Sequence, residues 1–179
     1  MANRPMGYGY TAETARNIDA KYDLESEKEA LDWITAVLET GNTSEEKDLA
    51  KTLVGVKGPD DVQTALKDGV ILVHVMNILS PSCIGKCHPA SANKFKHMEN
   101  IANFLKEAED YGCARGDLFQ SVFLQDGQNM AAVVGGIHAL GRKAQVNGFK
   151  GPALGPKESQ ANPREFSEEQ LLSGRVHGI

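Results

Sequence analysis

The 179-residue sequence predicts an all-α fold, a bundle of four main helices with shorter ones between them. Three observations carry this. Apolar residues recur at helical spacing in three long segments. A fourth segment, Val70 to Leu79, is apolar on nearly every side, as a buried central helix would be. Where the period breaks, Gly, Pro, Asn or Asp stands. Hydrophobic residues make up 41% and charged residues 24% of the chain, the balance of an ordinary globular protein. The length suits one domain with a full core, expected over 25–145, with an N-terminal extension over 1–24 and a Pro/Gly-rich linker over 146–179.

A short helix is expected from Thr11 to Asp23. "SEKEALDWITAVLE" follows, with Ser26 as N-cap and Glu29 three residues on, a capping-box pattern. Leu31, Ile34, Val37 and Leu38 form its apolar stripe, with Trp33 on the flank, and Gly41-Asn42 end it. Thr43 to Pro59 carries mixed charge and three turn-prone positions, so it reads as a loop with room for one helical turn. "GVILVHV" admits a strand as the rival to a buried helix, and Pro81 closes that segment.

The cleanest period lies in "FKHMENIANFLKEAEDYG". Phe95, Met98, Ile101, Ala102, Leu105 and Ala108 form the apolar face, with Phe104 adjoining. Lys96, Glu99, Asn100, Asn103, Lys106 and Glu107 form the wet one, and Gly112 is the stop. "GDLFQSVFLQDG" supplies one short helix. Met130, Val133, Val134, Ile137 and Leu140 then define the last main helix. Gly135-Gly136 inside it weakens it intrinsically and suggests close approach of a neighbour. After Gly148 the composition is that of a tail rather than a core element, with one more helical turn at "SEEQLLSGR".

Charge narrows the function. The net charge of −5 argues against general nucleic-acid binding, which needs a positive field. The last forty residues are the exception, with six Lys and Arg against four Asp and Glu, so an acidic partner is expected there. "MANRPMGYGY" has no apolar signal-peptide region, Ala2 gives no myristoylation site, and no apolar run has membrane-spanning length. Three cysteines are an odd count, and a reducing cytoplasm with free thiols is expected. No heptad run indicates a coiled coil.

The densest chemistry is "SPSCIGKCHPAS". Haem attachment of the c type needs C-x-x-C-H, and this loop is one residue too long. A structural zinc site needs four ligands. Cys83, Cys87 and His88 supply three, and Cys113 and His97 would have to complete the set. The simpler reading is a polar interhelical loop with Cys83, Cys87 and His88 exposed. Cys113 has no histidine near it in sequence, His74 and His138 lie in apolar helices, and "GVKGPD" lacks the glycines and lysine of a phosphate loop. Asp68-Gly69 and Asp126-Gly127 read as turn or N-cap signals. Neither catalytic nor metal residues nor a cofactor are indicated.

Asp68, Gly69, Leu72, Asn77, Leu79 and Pro81 in "ALKDGVILVHVMNILSP" resemble the third helix of the calponin-homology domain. Trp33 looks like the tryptophan of that family's first helix, and "FKHMENIANFLKEAEDYG", "DLFQSV" and "GQNMAAVVGGIHALGR" look like its remainder in calponin, transgelin and muscle-protein-20 relatives. The resemblance covers roughly Thr11 to Arg175. One departure is at Phe123-Leu124-Gln125-Asp126, where the family usually has a carboxylate at the first position. The chain ends at "GRVHGI", where the resemblance implies that a calponin-like repeat follows.

The resemblance implies a non-enzymatic cytoplasmic protein that binds or regulates the actin cytoskeleton, often in muscle. It implies no cofactor, and no nucleic-acid or membrane partner. Filamentous actin is acidic, so the candidate contacts are Arg142, Lys143, Lys150, Lys157, Arg164 and Arg175, with Lys94 and Lys96 second. Two other readings stand beside it: a signalling adaptor binding a kinase or scaffold through the same fold, and a zinc- or redox-responsive protein using Cys83, Cys87 and Cys113.

Overall fold

The computed structural model describes Glu13, Asn17 and residues 20–156. Among these there are seven α-helices, one 3-10 turn and no strand. The short helix expected over Thr11 to Asp23 lies mostly outside the described residues, as does the turn expected at "SEEQLLSGR".

Helix α1 spans Leu24–Thr40. Its cap is Asp23 rather than Ser26: the Asp23 carboxylate accepts the backbone N–H of Glu25 and Ser26, and the Ser26 hydroxyl donates to it as well. A carboxylate at the N-terminus both satisfies free N–H groups and complements the helix dipole, so it starts the helix three residues early. Trp33 is not a flank residue but part of the core, 3% exposed.

Helix α2, Ser44–Thr52, corrects the loop expected there. Thr43 and Glu46 form a reciprocal capping box, and Ala50 is buried. The helix has too few apolar residues to show a period, so only its cap announced it. Helix α3 is Pro59–Leu66, with proline in its first turn.

Helix α4, Val70–Leu79, settles the helix-or-strand question. All its residues except His74, Asn77 and Ile78 are buried, and it packs on α1, α2, α3 and α5. It starts at Gly69, whose φ of 73° is the left-handed region; a Cβ there would lie 2.7 Å from that of Asn100. Glycine is therefore required twice over at this junction.

Helix α5, Lys94–Asp110, buries Asn100, Ile101, Phe104 and Ala108. The apolar face is thus turned by about one position from the expected one. Phe95 and Ala102 are exposed, and Asn100 is fully buried. The reason is hydrogen bonding. The Asn100 amide accepts from His88 N–H at 2.9 Å and donates to the His88 and Asp68 carbonyls at 2.9 and 2.8 Å. A second asparagine, Asn77, exchanges both bonds with Ile84 at 2.9 and 3.1 Å. The two amides pin the loop between α4 and α5 at two points, replacing backbone partners that an irregular segment lacks.

After α5 come a 3-10 turn at Arg115–Asp117, α6 at Ser121–Gln125 and α7 at Met130–Val146. The cap of α7 is Asn129, bonded to Ala132 N–H; Asp126 instead ends α6. Gly136 admits the Phe119 ring, which would stand 2.8 Å from a Cβ, and Phe119 stacks on Phe104 with centroids 6.2 Å apart. The neighbour at the glycine pair is thus an aromatic side chain rather than a helix, and Gly135 faces open space.

Residues 149–156, expected as linker, run back along α7. Leu154 is 3% exposed and lies against Gly141. Trp33 Nε1 donates to the Pro152 carbonyl at 2.9 Å, and Gln145 donates to the Leu154 and Gly155 carbonyls. Composition alone made this stretch look like a linker because one buried leucine and three hydrogen bonds are enough to dock it.

Replacing Asn100 with alanine leaves three backbone groups without their partner. The expected loss is about 2–4 kcal/mol in urea unfolding with an unchanged slope. Asn103→Ala, one turn away from that network, is expected to change stability by less than about 0.5 kcal/mol.

Candidate functional site

The basic residues named above divide between described and undescribed parts of the chain. Lys157, Arg164 and Arg175 lie outside the described residues. Arg142 and Lys143 stand in the last turns of α7, both half-buried, and Lys150 is exposed just beyond. Lysine near a helix C-terminus faces free carbonyls and is favoured there by the dipole.

Arg142 and Lys143 are neighbours in sequence but reach different surroundings. Arg142 lines a cleft of about 540 Å³ with Lys21, Asp23, Asp117 and His138. The Lys143 stem runs past Gly112, the turn that ends α5. Lys21 was not singled out from the sequence. Nothing local marks it; the fold alone carries the segment before α1 to the end of α7. His138 ties the same two elements, its Nε2 2.9 Å from the Ser26 carbonyl. The cleft is therefore a junction of three segments with mixed charge.

Lys94 and Lys96 are engaged by acids, Lys94 with Asp126 at 2.6 Å and Lys96 with Glu99 at 2.9 Å. Such exposed pairs contribute little to stability but reduce the positive field at that end of α5. Phe123, standing where the resemblance expects a carboxylate, packs partly buried against the core.

The cysteine loop differs from its expected exposed state. His88 is 8% exposed, and Cys83 is half-buried with its Sγ 3.5 Å from Asn77 Oδ1. His88 Nε2 lies 3.1 Å from Glu99 Oε2, at ion-pair distance but outside hydrogen-bond alignment. Its burial follows from the Asn100 clamp on its own backbone, which no sequence period reports. Cys87 is exposed as a residue, while its sulfur is tucked against the His88 carbonyl at 3.7 Å. That enclosure, with the Glu45 and Asp68 carboxylates nearby, pushes its thiol up to about 11. Burial likewise raises Cys83. Among the described residues no group of three or more His, Cys, Asp or Glu could hold a metal ion. None of the described helices is alone long and apolar enough to cross a membrane.

An all-α bundle around the apolar helix α4, with a buried tryptophan in its first helix and Arg142 and Lys143 near the end of its last, defines a class of helical domain. The family model "Calponin homology (CH) domain" matches residues 24–146, and the chain belongs to that family. It is similar to Myophilin of Echinococcus granulosus, 36% identical over 176 residues, covering 98% of this chain and 85% of that protein. It is also similar to Muscle-specific protein 20 of Drosophila melanogaster, 38% identical over 160 residues, covering 89% and 79%.

A raised thiol reacts slowly at neutral pH, because the thiolate is the nucleophile. Alkylation of Cys87, followed by peptide-resolved mass spectrometry, should rise with pH toward a midpoint near 11. At pH 7.5 it should run roughly two orders of magnitude slower than an ordinary thiol of pKa about 8.5. A midpoint at or below the ordinary value would contradict the enclosure described.

Proposed function

We propose that this chain is a non-enzymatic protein of the calponin/transgelin type that binds filamentous actin or regulates it, in the cytoskeleton of muscle cells. The observation that carries this reading is the extent of the likeness to Myophilin and Muscle-specific protein 20. With Myophilin it covers 98% of the chain, so it runs beyond the matched domain into both ends.

The proposed filament-facing surface is the end of α7 with the segment after it: Arg142, Lys143 and Lys150, continued by Lys157, Arg164 and Arg175. An acidic filament attracts such a cluster, and the contact is screened by salt. The docked segment 149–156 supports this reading, because Leu154 and the Gln145 bonds hold the chain around Lys150 in place beside Arg142. Side chains presented from a fixed backbone lose less entropy on binding.

Cosedimentation with filamentous actin over a salt series tests the reading. Bound fraction should fall as salt rises. The double variant Arg142→Ala, Lys143→Ala should bind roughly five- to thirtyfold more weakly if each charge contributes about 0.5–1 kcal/mol. Lys150→Glu repeats the test at an exposed residue with no packing change. Absence of cosedimentation at low salt, or unchanged binding by both variants at unchanged melting temperature, would overturn the proposed surface.

A further inference from the structure

Helix α7 ends in a turn that makes both bonds of a Schellman motif. The Phe149 N–H donates to the Ala144 carbonyl at 2.9 Å, and the Gly148 N–H donates to the Gln145 carbonyl at 3.3 Å. Gly148, at φ 81°, takes the left-handed position this motif requires. Asn147 precedes it, and both residues are exposed. Of the ten asparagines in the sequence, Asn147 alone is followed by glycine.

An Asn-Gly pair carries chemistry of its own. The backbone nitrogen of the glycine attacks the side-chain carbonyl carbon of the asparagine. A bond forms between Gly148 N and Asn147 Cγ, the Cγ–Nδ2 bond breaks, and the proton from Gly148 N leaves with Nδ2 as ammonia. Water then opens the cyclic imide at either carbonyl, which leaves aspartate or isoaspartate at position 147. Water is the only co-reactant. Glycine favours the step because no Cβ crowds the attacking nitrogen. Asn77, Asn100 and Asn103 precede isoleucine or phenylalanine instead. In Asn77 and Asn100 both atoms of the amide are also bonded.

The folded turn holds the reacting groups apart. Asn147 has φ −75° and ψ 0°, a helix-end geometry, and its Nδ2 donates across to the Tyr111 carbonyl at the end of α5, at 2.8 Å. The Gly148 N–H is meanwhile given to Gln145. Attack requires both bonds to break and the backbone to turn at Asn147. The segment beyond resists this. Leu154 lies against Gly141, and the Gln145 side chain donates to the Leu154 and Gly155 carbonyls at 2.9 and 3.0 Å. A helix end nevertheless opens at lower cost than the helix body, so the turn is reactive whenever the segment lifts.

We infer that Asn147-Gly148 is a deamidation site gated by the docking of residues 149–156, and that its product keeps that segment from docking again. A carboxylate accepts hydrogen bonds and cannot donate, so at position 147 it would face the Tyr111 carbonyl with no proton between them. It also puts negative charge at the C-terminal end of α7, where the helix dipole opposes it. Isoaspartate does more, because it inserts one carbon into the main chain and breaks the register of the Schellman bonds. The new carboxylate stands between Lys143 and Lys150 in sequence and lowers the positive field of that end. Loss of ammonia is not reversed in solution, so the extent of reaction records how long the segment has spent open.

The test follows the full chain at mildly alkaline pH by tryptic digestion and mass spectrometry. The peptide of residues 144–150 should gain the mass of OH replacing NH2, with fragment ions placing the change at Asn147 rather than Gln145. An isoaspartyl methyltransferase should label the same peptide, and Asn147→Gln should abolish both signals. Asn147 should react faster than every other asparagine of residues 20–156, yet roughly tenfold slower in the folded chain than in urea. Gln145→Ala removes two bonds from the segment and should speed the reaction about tenfold, while amide exchange in α1 and α4 stays unchanged. Leu154→Ala repeats that test from the packing side. Asn147→Asp, which mimics one product, should speed hydrogen exchange at the Phe149 amide about tenfold. Four results would overturn the inference. These are a rate at Asn147 no greater than at the other asparagines, equal rates in the folded and unfolded chain, a rate indifferent to both segment variants, and Phe149 exchange unchanged by Asn147→Asp.

Discussion

The side-chain amide of Asn100 satisfies three backbone groups from two segments, the loop residue His88 and the turn residue Asp68. Much of the architecture depends on that arrangement. Asp68 and Gly69 start α4, the helix against which α1, α2, α3 and α5 pack. His88 lies midway along the connection from α4 to α5. One buried amide thus sets the entry to the central helix and the path of the chain leaving it. The left-handed Gly69 beside it leaves room for the approach. An apolar residue at position 100 would fill the space but leave the backbone groups unsatisfied, which costs more than the packing would return.

Much of this fold was legible from the sequence, and the failures share a cause. Val70 to Leu79, and Met130 to Leu140, announced themselves through apolar content and period, because burial of their side chains is what holds them. What the period could not show was structure held by polar atoms. By residue type Asn100 belongs on a wet face, Ser26 is a more obvious first cap than Asp23, and α2 shows only in the Thr43–Glu46 pair. His88 followed Asn100 into the interior for the same reason. Lys21 joins Arg142 through the fold alone, a meeting no local pattern encodes.

Charge on this molecule is segregated rather than merely negative. The carboxylates concentrate on α1 to α3, whereas the cations Arg142, Lys143 and Lys150 gather at the end of α7. In the core between them, buried or half-buried polar side chains hold turns and loops, Glu27 at Gly58, Asn77 at Ile84 and Asn100 at His88.

The bond from Trp33 to the Pro152 carbonyl joins the middle of the first helix to the segment beyond the last. The chain has one tryptophan. Its indole is sheltered on one side by the core and on the other by a strap that also carries Lys150. Intrinsic fluorescence is consequently a label built into the protein at a point where the strap meets the bundle. Detachment of residues 149–156 would wet that ring and redden its emission while the helices stayed intact, giving a spectroscopic view of the strap separate from global unfolding.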